Sequence, residues 1–281
     1  MIGLGGNRLT VCRRGGMSVT QAGRGGMEWL GVRDPSWATP YSAQATAALK
    51  AQFPTQWPTI RDYGFAHPEI VPYVNEEPIV YGTMITLGYS PMVFVSFDGA
   101  SWIDTGLASS NAQSYDCVLS NVAGRGATSA NAIAGSSSHY ANRILYMNTS
   151  KLQHQQRNSR NIEVPISDFD STTLFTLVCG DNNDYFTVNG VAGTYASNGG
   201  NTTSGNFYIG VYAKTYNNNP GIFNAHKFNI YTGSTKVRQY YPVKRNSDGK
   251  YSLYDYLNNR FETNLGTGTI GGGYSLSESP A

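Results

Sequence analysis

Beyond residue 90 the chain is a series of short strand-like runs separated by turn residues, and no other feature constrains its fold as strongly. Residues 115–119 largely alternate between apolar and polar side chains, which gives a strand one buried face. Asn189-Gly190 separates two such runs and is typical of a type I′ hairpin turn, and Asp98-Gly99 predicts another hairpin. Short strands at this spacing, without a sustained helical period, predict an all-β antiparallel sandwich or jelly roll.

The polarity of the chain comes from amides and hydroxyls more than from charges. Only 14% of the residues are charged, against about 25% in an average soluble domain. Gly and Tyr are abundant, with 32 and 20 copies, and they favour turns and strands respectively. A hydrophobic fraction of 40% is enough to build a core, which argues against a disordered chain. Such a low-charge surface suits a shell or a fibre.

Residues 1–34 form a Gly/Arg-rich arm that differs from the rest of the chain. Because this segment cannot bury enough apolar surface to offset its chain entropy, it is not expected to fold alone. Two interpretations stay open: a disordered tail, or an arm that becomes ordered when it docks on a larger assembly. In the second interpretation the anchoring residues are Arg8, Arg13, Arg14 and Arg24.

Residues 35–90 are rich in proline and aromatic residues and are interpreted as a connector and anchor. Thr39-Pro40 resembles a helix start, with Thr39 as the N-cap, and predicts one short helix that ends near Phe53. Further prolines interrupt apolar pairs in the remainder, which predicts extended chain with brief strands packed on another surface. The N-terminal region is therefore expected to be extended and mostly irregular, with one short helix.

Two parts of the chain resemble a known family. The first is Phe94-Val-Ser-Phe-Asp-Gly-Ala-Ser-Trp-Ile-Asp-Thr-Gly106, and the second includes Val237-Arg-Gln-Tyr-Tyr-Pro-Val243, Asp248-Gly-Lys-Tyr-Ser-Leu-Tyr-Asp255 and Gly266-Thr-Gly268. Both resemble the concanavalin-like, laminin-G-like domains of gut-phage and prophage surface proteins. The resemblance covers about residues 91–270 and leaves 271–281 as a C-terminal tail. It implies a two-sheet jelly-roll sandwich attached to virion fibres or surfaces, and it carries over no catalytic or sugar-binding residues.

The acidic residues form no recognisable catalytic pattern. Glycoside hydrolases need two carboxylates that face each other across a cleft, and no Glu-x-Asp-x-x-Glu strand pattern is present. The chain is therefore not expected to be an enzyme, and no cofactor is expected. Asp181 and Asp184 cluster with two amides beside a strand end, which suits calcium. A turn in which the same side chains cap backbone amides is the plainer explanation.

Saccharide binding requires aromatic faces flanked by amides and hydroxyls. The segment 212–220 is long, polar and aromatic, which makes it the best single candidate for such a site. Most tyrosines of this tyrosine-rich chain are nevertheless expected to pack on strand faces. The candidate ligand-binding residues are Trp102, Tyr212, Tyr216, Asn217 and Asn218.

Charge and hydropathy narrow the range of partners. With a net charge of +2, the chain as a whole lacks the excess of positive charge that is typical of nucleic-acid-binding proteins. Its longest apolar runs are too short to insert in a membrane. The leading hypothesis is a virion surface protein, a head or tail fibre or decoration subunit, synthesised in the host cytoplasm. Its expected partners are other virion proteins, bound through the arm, and host glycans. It is also expected to bind further copies of itself, and fibre symmetry favours a trimer. The alternatives are a purely structural capsid or baseplate component and, less favoured, a glycan-cleaving enzyme.

Overall fold

A computed structural model describes residues 19–22, 26–29, 38–110, 113–123, 131–136, 143–147, 151–156, 160–165, 167, 170–180, 186–197, 205–211 and 220–275. The described chain is mostly β, with a group of helices that ends before residue 87. Its strands form two large antiparallel sheets and a separate two-stranded hairpin. The prediction of a β-sandwich is confirmed at this level.

The helices occupy the segment that the sequence analysis interpreted as mostly irregular. They are α1 (Ala43–Gln52), α2 (Trp57–Ala66), a 3-10 helix (Pro68–Ile70), α3 (Val71–Glu76) and α4 (Pro78–Thr86). The expectation of a single short helix followed by extended chain is therefore wrong. We refer to these helices together as the helical layer.

The prolines of this segment explain the error. Pro58, Pro68, Pro72 and Pro78 each lie in the first two positions of a helix. The backbone N–H groups there have no partner within the helix, so a proline starts a helix at this position without losing a hydrogen bond. From the sequence alone, Pro68, Pro72 and Pro78 were expected to interrupt extended chain, whereas each of them marks where a new helix begins.

The first helix begins at Ala43, three residues after the start that Thr39-Pro40 predicted. Ser42 is the N-cap of α1, and its hydroxyl accepts a hydrogen bond from the backbone N–H of Ala45 at 3.2 Å. Thr39, the expected cap, accepts from the backbone N–H of Tyr41 at 3.2 Å. Pro40 therefore precedes the helix, and the turn it belongs to leads the chain into α1.

The strands are short and numerous, as the turn spacing predicted. They are β1 (Val19–Ala22), β2 (Gly26–Trp29), β3 (Tyr89–Pro91), β4 (Phe94–Asp98), β5 (Ile103–Ala108), β6 (Gln113–Ala123), β7 (Asn131–Ser136), β8 (Arg143–Met147), β9 (Lys151–Gln156), β10 (Arg160–Pro165), β11 (Phe175–Cys179), β12 (Phe186–Val188), β13 (Val191–Ala192), β14 (Thr194–Ser197), β15 (Asn206–Ile209), β16 (Ile222–Thr232), β17 (Thr235–Arg245), β18 (Tyr251–Asp255), β19 (Arg260–Phe261) and β20 (Ile270–Gly273).

Two sheets account for all strands after the first two. The seven-stranded sheet has the order β14-β10-β9-β8-β7-β15-β5. The eleven-stranded sheet has the order β13-β12-β11-β6-β16-β17-β18-β19 along its main path. In addition, β4 lies between β16 and β20, and β3 pairs with the end of β17.

The two sheets enclose one apolar core. Tyr115 of β6 stacks on Phe207 of β15, with 4.9 Å between the ring centroids, so the contact joins the two sheets. The inward side chains of both sheets belong to a single buried cluster, as expected for a sandwich. Its members include Phe97, Ile133, Leu152, Ile162, Leu177, Ile209, Phe223 and Phe228.

The other face of the eleven-stranded sheet is covered by the helical layer. Leu49, Ile60, Val74 and Met84, one from each α-helix, are fully buried. They share a second apolar cluster with four side chains of the sheet. These four are Phe94, Tyr241, Val243 and Tyr254. The segment assigned to a connector thus packs directly on the sandwich.

The two predicted dipeptide turns have different outcomes. Asn189 and Gly190 have φ of 50° and 79° and join the paired strands β12 and β13, so the hairpin prediction is confirmed. Asp98-Gly99 does not form a hairpin, because β4 belongs to the eleven-stranded sheet and β5 to the seven-stranded one. This turn is a corner that carries the chain from one sheet to the other.

The described part of the N-terminal arm is one hairpin. β1 pairs with β2 in antiparallel register, from Val19 opposite Trp29 to Ala22 opposite Gly26. The proposed anchoring residues lie outside the described residues. They are Arg8, Arg13, Arg14 and Arg24.

Candidate functional site

Residues 262–269, between β19 and β20, are called the closing segment, and they are held against the corner between β4 and β5. Asp98 Oδ2 accepts from the backbone N–H of Thr269 at 2.6 Å, and Oδ1 accepts from that of Ala100 at 2.9 Å. Burial opposes ionisation of Asp98, but these hydrogen bonds outweigh it and lower the pKa of the carboxyl group. Gly266 has no room for a side chain, since a Cβ there would lie 2.0 Å from the Ala100 carbonyl oxygen. The Gly-Thr-Gly element of the sequence is therefore a close-packing motif.

Asn264 fixes the shape of the same segment. Its Oδ1 accepts from the backbone N–H groups of Trp102 at 3.2 Å and Gly266 at 2.9 Å. Its Nδ2 donates to the carbonyl oxygen of Gly268 at 2.7 Å. One amide side chain thus satisfies three backbone groups, and a segment without regular secondary structure keeps a defined conformation.

A cavity of about 490 Å³ lies beside this segment. β19 pairs with β18 and β20 pairs with β4, so the two strands end separate branches of the eleven-stranded sheet. Tyr251 of β18, Phe261 of β19 and Ile270 of β20 line the cavity from both branches. Its volume falls within the range of about 300–1,000 Å³ that is usual for small-ligand sites.

The turn between β17 and β18 supplies a preorganised guanidinium group at the cavity. Arg245 Nε and Nη2 donate to Asp248 at 3.0 and 2.6 Å, and the guanidinium carbon lies 4.2 Å from the Phe261 ring centroid. The hydrogen bonds from Arg245 lower the pKa of Asp248 to about 2, so this carboxylate is ionised near neutral pH. The ion pair and the ring together hold Arg245 in one position.

Two exposed threonines of the closing segment line the cavity. Thr263 and Thr269 both line it, and within the described part of the chain neither hydroxyl has a hydrogen-bond partner. Tyr251, Phe261 and Ile270 add apolar residues to the same lining. Apolar walls with a few directed polar groups are typical of binding sites for small polar molecules.

Glu262 contributes the one carboxylate among the described lining residues, and it is held in place by its neighbours. Its Oε1 accepts from Arg260 Nη2 at 2.6 Å, from Arg260 Nε at 3.0 Å and from the Tyr240 hydroxyl at 3.0 Å. Burial raises the pKa of Glu262 above its ordinary value, against the opposing effect of Arg260. The charge of Glu262 is therefore balanced locally by Arg260.

Trp102, the one predicted ligand residue that the structure describes, does not line this cavity. Trp102 is 7% exposed and packs edge-on against Tyr208, with 5.4 Å between the ring centroids. The other predicted ligand residues lie outside the described residues, and so do the calcium candidates. The predicted ligand residues in question are Tyr212, Tyr216, Asn217 and Asn218. The calcium candidates are Asp181 and Asp184.

Sequence reasoning missed the residues that do line the cavity, above all Arg245, Lys250, Tyr251 and Phe261. The local signal was a polar turn, residues 246–249, with cationic side chains on both sides. Nothing in that signal indicates a cavity, because the opposite wall comes from β20 and the closing segment.

Neither a metal-binding cluster nor a membrane-spanning helix is found among the described residues. Within them no group of three or more His, Cys, Asp or Glu side chains is arranged to hold a metal ion. None of the described helices combines the length and apolar character that crossing a bilayer requires. No protein-family model matches the chain, and a search of curated proteins gives no significant match.

Proposed function

We propose that this chain is a phage virion surface protein whose sandwich is a concanavalin-like jelly roll that adheres to host glycans. Its N-terminal region would attach it to other virion proteins, and fibre symmetry favours a homotrimer. The resemblance of residues 94–106 and 237–268 to phage surface domains supports the virion assignment, as does the low charge of 14%. The helical layer packs on one face of the sandwich, and no residue of that layer is among the described residues that line the cavity.

The cavity beside β18 to β20 is the observation that carries the adhesion proposal. Saccharides present hydroxyl groups around an apolar ring face, so they need polar groups and apolar walls side by side. Thr263 and Thr269 supply hydroxyls that have no hydrogen-bond partner among the described residues, and Tyr251 and Ile270 supply apolar surface. The closing segment that carries these threonines is held rigidly by Asn264, which lowers the entropy cost of binding.

Binding fits the cavity better than cleavage. Hydrolysis of a glycosidic bond requires a pair of carboxylates across the bond. Among the described lining residues Glu262 is the one acid, and its Oε1 already accepts hydrogen bonds from Arg260 and Tyr240. We therefore propose adhesion without turnover.

A glycan array tests the proposal. Thr263 is exposed, so Thr263→Trp should fill the cavity mouth without disturbing the core, and we expect it to remove the glycan signals of the wild-type protein. Thr235→Trp is the matched control, because Thr235 is an exposed threonine at the opposite end of β17. A blank array for the wild-type protein would instead favour a purely structural capsid or baseplate component.

A further inference from the structure

Three cationic groups near the cavity keep hydrogen-bonding capacity that the described residues do not use. Arg245 donates through Nε and Nη2 to Asp248, and its Nη1 has no hydrogen-bond partner among the described residues. Lys250 Nζ lies 3.8 Å from Asp248, and the lysine side chain is 71% exposed. Lys244 Nζ lies 5.4 Å from the Tyr251 ring centroid. All three cations flank a single short turn.

The local charge balance at this turn is positive. Asp248 is the one acidic residue in the segment 244–250, against three basic residues. Glu262, which lines the cavity, is balanced by Arg260 at 2.6 Å. Asp98, whose Oδ2 accepts from the backbone N–H of Thr269, adds a second negative charge beside the cavity, so three basic residues face two acids. An anion that enters the cavity therefore meets an excess of positive charge. The ion pair with Asp248 keeps the Arg245 guanidinium in place for it.

Building on the saccharide-binding function proposed above, we infer that this cavity selects saccharides that carry a carboxylate group. Arg245 Nη1 and Lys250 Nζ are the donors for the carboxylate, and the hydroxyls of Thr263 and Thr269 are available to the sugar hydroxyls. Lys244 adds favourable long-range charge. The apolar walls and the small number of cations favour a sugar ring with one acidic group.

Matched acid and ester pairs provide the test. The probes are oligogalacturonate, hyaluronan fragments and α2,8-linked oligosialic acid, each with its methyl ester, measured by titration calorimetry on the full chain. The ester keeps the sugar and removes the charge. We expect at least one acid to bind about tenfold more tightly than its ester, as a charge-assisted hydrogen bond implies. Added salt should weaken binding of the acid and leave the ester unaffected.

The double variant Arg245→Gln/Lys250→Gln should lose this preference while it still binds the ester, because it removes both proposed donors and keeps the hydroxyls and the apolar walls. Lys236→Gln is the matched control, because Lys236 also lies on β17 with its Nζ 5.7 Å from a tyrosine ring centroid, that of Tyr231. The control should keep the full preference for the acid.

The outcomes separate this inference from the function on which it rests. Equal affinity for acid and ester in every pair would overturn the carboxylate preference and leave glycan adhesion intact. A preference that survives in the double variant would overturn the assignment to this turn. A wild-type protein that binds neither the probes nor any glycan on the array would overturn both proposals together.

Discussion

The two faces of the eleven-stranded sheet are packed in different ways. The inner face meets the seven-stranded sheet through a core in which aromatic rings stack, as Phe97 and Phe223 do at 4.7 Å between centroids. The outer face meets the helical layer through a mixture of apolar and polar contacts. There, Glu77 accepts a hydrogen bond from the Tyr241 hydroxyl at 2.8 Å and pairs with Lys227 at 3.2 Å.

Polar groups on the outer face are also deeply buried. His226 Nε2 lies 2.9 Å from the Ser120 hydroxyl, and burial lowers the pKa of this histidine to about 4. Asn224 is fully buried, and its amide atoms have no hydrogen-bond partner within the described part of the chain. The inner face therefore contributes mainly apolar area, although His154 of the seven-stranded sheet is also buried there, 5.8 Å from the Phe186 ring centroid. The outer face depends more on individual polar contacts, among them those of a histidine with a lowered pKa.

Removal of the helical layer should have the largest effect. A fragment that begins at Tyr89 would expose Phe94, Tyr241, Val243 and Tyr254, each at most 1% exposed in the whole chain. We expect this fragment to bind a hydrophobic dye and to lack a cooperative melting transition. Dye fluorescence and calorimetry would check this. A soluble fragment with the melting temperature of the full chain would show that the sandwich is an independent domain.

Phe223→Ala tests the inner face. Phe223 is 1% exposed and stacked on Phe97, so its truncation leaves a cavity and should cost about 3–5 kcal/mol of unfolding free energy. Because the inner face depends on apolar packing, the cost should be the same at neutral and mildly acidic pH. Denaturant titrations at the two pH values measure it. A loss of unfolding free energy that differs between the two pH values would contradict the distinction between the two faces of the sheet.

His226 should make the stability depend on pH. Its pKa is about 4 in the folded chain, against 6.5 as the ordinary value, so the unfolded chain binds more protons between these values. Stability should be full above pH 6.5 and fall as the pH approaches 4, by roughly 3 kcal/mol at most. His226→Gln should flatten this part of the profile. An unchanged slope in His226→Gln would exclude this histidine as the cause.

Tyr241→Phe should have the smallest effect of the four. It removes the hydroxyl that donates to Glu77 and accepts from Gln239, so we expect a loss of about 1–2 kcal/mol. Tyr231→Phe on the same sheet is the control, because within the described residues its hydroxyl has no hydrogen-bond partner. Thermal denaturation would compare the melting temperatures of the two variants. Equal melting temperatures would mean that the polar contacts under the helical layer add nothing to its docking.

The sequence by itself determined the features that depend on local backbone chemistry. Asn189-Gly190 forms the predicted hairpin because both residues tolerate positive φ, and a Cβ on Gly190 would meet no atom within 4 Å. The short alternating strands followed from the same local rules, since one buried face requires a period of two. These features need no knowledge of which strands pair.

Tertiary structure decided the features that depend on partners distant in sequence. Asp98-Gly99 became a corner and not a hairpin because β4 pairs with β16 and β20, far along the chain. The prolines of residues 57–86 start helices because the eleven-stranded sheet offers an apolar face for those helices to cover. The cavity arises where two branches of that sheet end side by side, and a local sequence pattern carries no information about that space.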